Sequence, residues 1–216
     1  MSDTGSRQER CKQWAKTNLP PALYSFLKFC FKKRPVHSSR HWARIVMNRE
    51  TQRWVSELQP GRLKVLELSG TDWQGFAPFK DYSTIAYPDY DICGEPLPQT
   101  YDLIIAEQVF EHLARPYRAG RNVCQMLNPG GWFLVTTPFL VRVHDCPIDC
   151  TRWTETGMKY FLDECGFPPE KIKVASWGNR ACVRASFNRW VTYRRWRHSL
   201  VNEPNFPVSV WALAQK

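Results

Sequence analysis

The chain has 216 residues, enough for one domain that buries its own core, and its 43% hydrophobic and 23% charged residues exclude a disordered polypeptide. No apolar run approaches the roughly 18–20 residues that span a bilayer. Residues 1–20 are polar and expected to be loosely ordered, and they do not have the layout of a secretory leader before Leu23–Phe31, so a cytoplasmic protein is expected. The net charge of +10 is unevenly placed. Residues 1–50 hold 11 Lys/Arg against 3 Asp/Glu and residues 171–216 hold 9 against 1, while residues 51–170 hold 10 against 16. An acidic centre between basic flanks suits a cationic cofactor in the middle and an anionic partner at the ends, although basic flanks also serve solubility alone.

Taken in chain order, Trp42, Ile45, Val46, Val55 and Leu58 recur at helical spacing until Pro60-Gly61 stops the run. The pattern then changes to short apolar runs of the kind that form buried parallel strands. These are Lys64–Leu68, Asp102–Ala106 and Trp132–Thr137, the last preceded by the turn Asn128-Pro129-Gly130-Gly131. Arg115–Leu127 predicts a helix with Pro116 in its first turn. Residues 155–165 predict another, opened by Thr154 and closed by Gly166, with Met158, Phe161, Leu162 and Cys165 on one face. Lys171–Trp177 and Pro207–Ala214 read as two further strands. Strands alternating with helices imply a doubly wound α/β sheet whose ligand site lies beyond the strand carboxyl ends.

Eight cysteines contain no CxxC pair and are expected to be reduced thiols. His144, Cys146 and Cys150 are close in sequence, but no second Cys/His pair completes a tetrahedral set, so no metal is expected. A nucleotide-type cofactor is suggested by Val65–Gly70 (VLELSG). Small residues after a first strand let the backbone approach a ligand, and an acid such as Glu67 can bind ribose hydroxyls or an amino group. Gly70 as a plain turn glycine and Glu67 as a surface carboxylate remain open. No G-x-G-x-x-G follows a strand, which argues against a nicotinamide enzyme.

After Asp102–Ala106 come Glu107–Leu113 (EQVFEHL), Leu127–Pro138 (LNPGGWFLVTTP) and Thr137–Phe167, which contains TPF…HxxPxDxxRxT…GF. This ordered set, over about residues 62–167, resembles the class I S-adenosylmethionine-dependent methyltransferases, in particular the type 11-like branch. The resemblance implies a Rossmann-like, doubly wound, mostly parallel sheet of about six to seven strands, with helical N-terminal and C-terminal cap additions. Only 33 residues separate Leu68 from Asp102, so the second half of the first αβαβ passage is expected to be abbreviated. The implied organisation is a basic N-terminal helical lid over residues 1–60 and a catalytic domain over 61–216, with a basic-aromatic insertion or cap at 178–206.

The same resemblance implies S-adenosyl-L-methionine as cofactor, held by Glu67, Ser69, Gly70, Trp73, Asp89, Asp91, Ile92, Glu107, Gln108 and His112. Ser69 stands where the family has its first loop glycine, and Trp73 could stack on adenine, face the sulfonium or close the pocket. Glu111 and His112 form the family's Glu-His pair, contacting cofactor or fixing a helix end. For catalysis, His144 is the candidate base, Asp149 its orienting group or a substrate ligand, and Arg152 a clamp for carboxylate or phosphate, the alternative being a structural cluster. The substrate implied is a small molecule or glycan precursor of anionic character, methylated on oxygen or nitrogen. Arg184–His198 interleaves arginines with Phe187, Trp190, Tyr193 and Trp196, which suits RNA or, more simply, a cap over the site. Leu23–Arg34 suits a lid over the cleft or an anionic membrane surface. A non-catalytic binding module is the remaining alternative.

Overall fold

The computed structural model describes residues 41–144 and 148–216. The expectations for residues 1–20, for the Leu23–Arg34 lid and for Cys146 lie outside the described residues. From His41 onward the chain belongs to one compact unit.

Six strands form one sheet in the order β2-β1-β3-β4-β6-β5. They are β1 Lys64–Leu68, β2 Asp81–Ile85, β3 Tyr101–Glu107, β4 Leu127–Pro138, β5 Ile172–Trp177 and β6 Ser209–Gln215. β1 pairs in parallel with β2 and β3, and β3 with β4. β6 lies antiparallel between β4 and β5, so it alone is reversed. The helices are α1 Ile45–Glu57, α2 Pro116–Met126, α3 Glu155–Glu164 and α4 Arg180–Ser186. Among the described residues, no helix is long and apolar enough to cross a membrane.

Strand periodicity divides the core into two layers. On one face Leu66, Leu68, Ile104, Ala106, Phe133 and Val135 pack with Val123 and Met126 of α2 and Met158, Phe161 and Leu162 of α3. α2 and α3 approach closely because Gly120 carries no side chain; a Cβ there would overlap the Cys165 sulfur. Thr154 caps α3 by accepting the Gly157 N–H at 3.0 Å, and Gly166, at φ +102°, closes it. On the other face Val65, Leu103, Ile105, Leu134, Trp211 and Leu213 pack with Val46, Met47, Trp54 and Val55 of α1. The helix expected before residue 60 is therefore a layer of the same fold, with Trp54 set 6.3 Å from Trp211 across the interface.

The shortening between β1 and β3 goes further than the spacing implied. Residues 69–80 and 86–100 are turns and loops, so this whole passage holds one strand and no helix. An aromatic ladder covers the bare face instead. Trp73 meets Phe76 edge-on at 5.0 Å, Phe76 meets Phe79 at 6.5 Å, and Phe79 stacks on Tyr82 at 6.0 Å. A three-residue spacing lets 12 residues of loop place these rings where a helix would need more chain.

Trp73 is completely buried, so Trp73→Ala should destabilise the fold by about 3–5 kcal/mol. Trp196→Ala, at a ring left 78% exposed, should change stability by no more than about 0.5 kcal/mol. Urea unfolding checks both, and equal midpoints would remove the ladder from its structural role.

Candidate active site

Parallel pairing brings the carboxyl ends of β1, β2, β3 and β4 to one edge, and the chain reverses direction across the sheet between β1 and β3. The site residues expected from the sequence lie at these ends or on the segments that follow them, from Glu67 within β1 to Arg152 shortly before α3. The β5–β6 connection, which carries the basic-aromatic segment, leaves from the same edge.

Glu67, in β1, is 1% exposed and points to the face of the aromatic ladder. Its carboxylate accepts the backbone N–H groups of Asp72 at 2.9 Å and Trp73 at 3.0 Å, together with the Tyr82 hydroxyl. Burial pushes its pKa up, and these three donors pull the other way. The carboxylate thus holds the loop rather than facing outward. It also explains Gly70, where a Cβ would overlap the Glu67 carboxylate. Ser69 has φ +61°, and Gln108, the residue after β3, has φ +56°. These two left-handed non-glycine residues stand at the two central strand ends, each conformation costing about 1–3 kcal/mol that the surrounding contacts offset. Ser69 is locked by its N–H to the Ile85 carbonyl at 2.8 Å, and Gln108 by its N–H to the Thr136 carbonyl at 3.0 Å.

The Trp73 indole N–H reaches across to Glu107 at 3.1 Å, tying the β1 loop to the end of β3. That buried ring closes the crevice floor and presents no free face. Glu107 also lies 3.8 Å from Arg44; burial raises its pKa, and Arg44 opposes that rise. Beyond β2, Asp89 and Asp91 are exposed, while Ile92 is 6% exposed within the core. Asn122 of α2 fixes this loop by donating to the carbonyls of Ile92 and Gly94, both at 2.8 Å.

On the other side of Gln108, the short 3-10 turn Phe110–His112 carries Glu111 and His112. Glu111 is fully buried, and burial pushes its carboxyl up to about 7. His112 stands edge-on to His144 at 5.1 Å, and its Nδ1 meets the Ile148 carbonyl. Burial lowers the pKa of His144, against a smaller opposing effect of Asp149, which keeps the ring neutral near pH 7. Asp149 accepts the His144 backbone N–H at 2.8 Å and forms a two-pronged ion pair with Arg152. Asp149 therefore orients the His144 loop through its backbone, and the Arg152 fork is engaged by Asp149.

The basic-aromatic segment begins with the seven-residue α4 and continues as turns to residue 206. Its Trp190 touches His144 edge-on at 5.4 Å, stacks on His41 at 5.9 Å and lies under the Arg142 guanidinium at 4.8 Å. Beside Trp190, a pocket of about 450 Å³ is lined by Arg189, Arg194, Arg197 and His198. Trp42 anchors the segment, stacking on His198 at 4.3 Å and donating to the Ser199 carbonyl at 2.9 Å.

The structure thus gathers Glu67, Ser69, Gly70, Trp73, Glu107 and Gln108 at the ends of β1 and β3, with His112, His144, Asp149 and Arg152 forming a second cluster. Asp89, Asp91 and Ile92 flank the same edge from β2. Arg44 and Tyr82 are additions that the sequence reading did not single out, whereas Trp190 was read there as part of the basic-aromatic segment. Only Tyr82 had a visible signal, the aromatic repeat at Phe76, Phe79 and Tyr82.

Residues 24–200 match a family described as "Methyltransferase domain". An S-adenosylmethionine-dependent methyltransferase from Mesorhizobium loti aligns with a TM-score of 0.51 at 16% identity, over 76% of this chain and 98% of that one. A second such enzyme, from Thermotoga maritima, aligns at 0.49 and 13% identity, covering 81% and 98% of the two chains. The N-methyltransferase NodS from Bradyrhizobium japonicum, solved with S-adenosylhomocysteine, aligns at 0.46 and 17% identity, covering 79% and 86%. No curated protein matches the chain.

Gly70→Ala should drive Glu67 off the loop N–H groups and lower both thermal stability and binding of S-adenosylhomocysteine in calorimetry. Glu67→Gln, which places an NH2 among donors, should cost about 1–3 kcal/mol. Wild-type stability and binding in both variants would dissociate the carboxylate from the loop.

Proposed function

The chain belongs to the methyltransferase domain family, and on that premise we propose that it methylates an oxygen or nitrogen of an anionic small molecule or glycan precursor. S-adenosylmethionine is the cofactor, and when bound it supplies a methyl group activated by a positive sulfur. The residues present fit such a group. Ser69 and Gly70 offer backbone with little side-chain bulk, Glu107 is a carboxylate suited to an ammonium group, and Ile92 offers an apolar surface near the exposed Asp89 and Asp91. Gln108 borders the same crevice, and Glu67 and Trp73 keep its floor in shape.

The observation that carries the acceptor reading is the imidazole pair His112–His144, set between the strand-end edge and the arginine-lined pocket. A methyl acceptor must be aligned and, for a hydroxyl or ammonium, relieved of a proton. His144 keeps a lone pair for that proton because burial disfavours its charged form. Asp149 and Arg152 hold the His144 loop, and Arg189, Arg194 and Arg197 supply the positive field that an anionic substrate requires. The exposed Trp196 and Phe187 beside these arginines favour RNA as a second reading.

His144→Ala should lower turnover by about 100-fold or more while leaving cofactor affinity in calorimetry unchanged. Wild-type turnover would remove His144 from acceptor activation. Salt-dependent retention of RNA by the full chain, lost in Arg194→Ala with Arg197→Ala, would move the substrate to nucleic acid.

A further inference from the structure

Glu111, His112 and His144 each offer a ligand-type atom, and those atoms lie within 4.8 Å of one another. Glu111 is 0% exposed, yet among the described residues neither carboxylate oxygen has a hydrogen-bond partner. A buried carboxylate without donors is costly unless something positive meets it. Arg44 and Arg152 act on Glu111 without a hydrogen bond, and the Arg152 guanidinium is engaged by Asp149.

The histidine geometry sharpens the point. The Ile148 carbonyl can only accept, so His112 Nδ1 carries the ring proton. In the neutral ring, His112 Nε2 then offers a lone pair, 3.7 Å from Glu111 Oε1. Two acceptors thus face each other across a short gap, and His144 stands edge-on beside them. A carbonyl fixing one imidazole nitrogen while the other is free is the arrangement that orients metal-binding histidines.

We infer that Glu111, His112 Nε2 and His144 bind one divalent transition cation, with zinc as the representative ion. One carboxylate and two imidazoles suit zinc and its neighbours, whereas magnesium and calcium favour oxygen donors throughout. The site leaves a coordination position for an acceptor oxygen, on which the cation would act as a Lewis acid. The His144 lone pair that takes the acceptor proton in the cation-free chain is the one that would bind the cation, so in the loaded chain the polarised acceptor oxygen would lose its proton to solvent. Cation binding itself does not depend on the methyl-transfer reading. The rival occupant is a proton shared between Glu111 and His112.

The full chain, stripped with chelator, is titrated with zinc chloride by calorimetry and with cobalt(II) by visible absorption. The expected result is one saturable equivalent of zinc per chain and the d–d bands of low-coordinate cobalt. Glu111→Gln and His144→Ala should each weaken zinc binding by at least about tenfold. Cys150→Ser, at an exposed thiol, should leave it unchanged. Absence of saturable binding, or wild-type affinity in His144→Ala, would overturn the site even if the buried Glu111 variant failed to fold. S-adenosylhomocysteine binding, measured on the same preparations with and without zinc, separates the two readings. Its loss alone would sink the cofactor assignment and leave the cation site standing.

Discussion

The buried carboxylate of Glu67 is the contact on which the cofactor edge depends. With no helix after β1, the loop's own N–H groups have no helical partners, and Glu67 takes two of them. That folding-back leaves no room for a Cβ at residue 70 and sets Trp73 into the core. Trp73 in turn bridges to Glu107, so the ends of β1 and β3 are positioned by one continuous chain of hydrogen bonds. The Tyr82 hydroxyl joins β2 to the same carboxylate and ends the aromatic ladder that covers the sheet.

Charge is arranged around this edge in two zones. Acidic side chains gather at this edge, where Arg44 lies 3.8 Å from the buried Glu107 carboxylate. Arginines dominate the segment between β5 and β6, where Trp190 carries the contact between that basic zone and His144. The acceptor-side cluster lies between the two zones and combines two imidazoles with a buried acid. Low local polarity strengthens any cation or proton held there.

The anchoring of the basic segment is mostly aromatic and backbone in character. Trp42 stacks on His198, its backbone N–H donates to Val191 at 2.8 Å, and His41 pairs with Thr192. These contacts leave the guanidinium groups of Arg189, Arg194, Arg195 and Arg197 exposed. A scaffold of rings thus presents charge without consuming it.

The order of strands and helices was legible in the sequence, because periodic apolar runs such as Asp102–Ala106 and capping signals such as Thr154 and Gly166 act locally. The family was legible too, carried by motifs that stay contiguous from Asp102 to Phe167. The sequence also determined that the β1–β3 passage had to be short, since 33 residues cannot hold the usual elements. What covers the sheet there was decided only by packing, as the aromatic ladder needs β2 beside β1 before Tyr82 can meet Glu67. The same holds for Glu67 itself: its residue type indicates a ligand-binding acid, whereas its burial and donors make it the brace of the loop. The adjacent Glu111 and His112 are separated from His144 by a whole helix and strand, and parallel pairing of β3 with β4 brings the three side chains together.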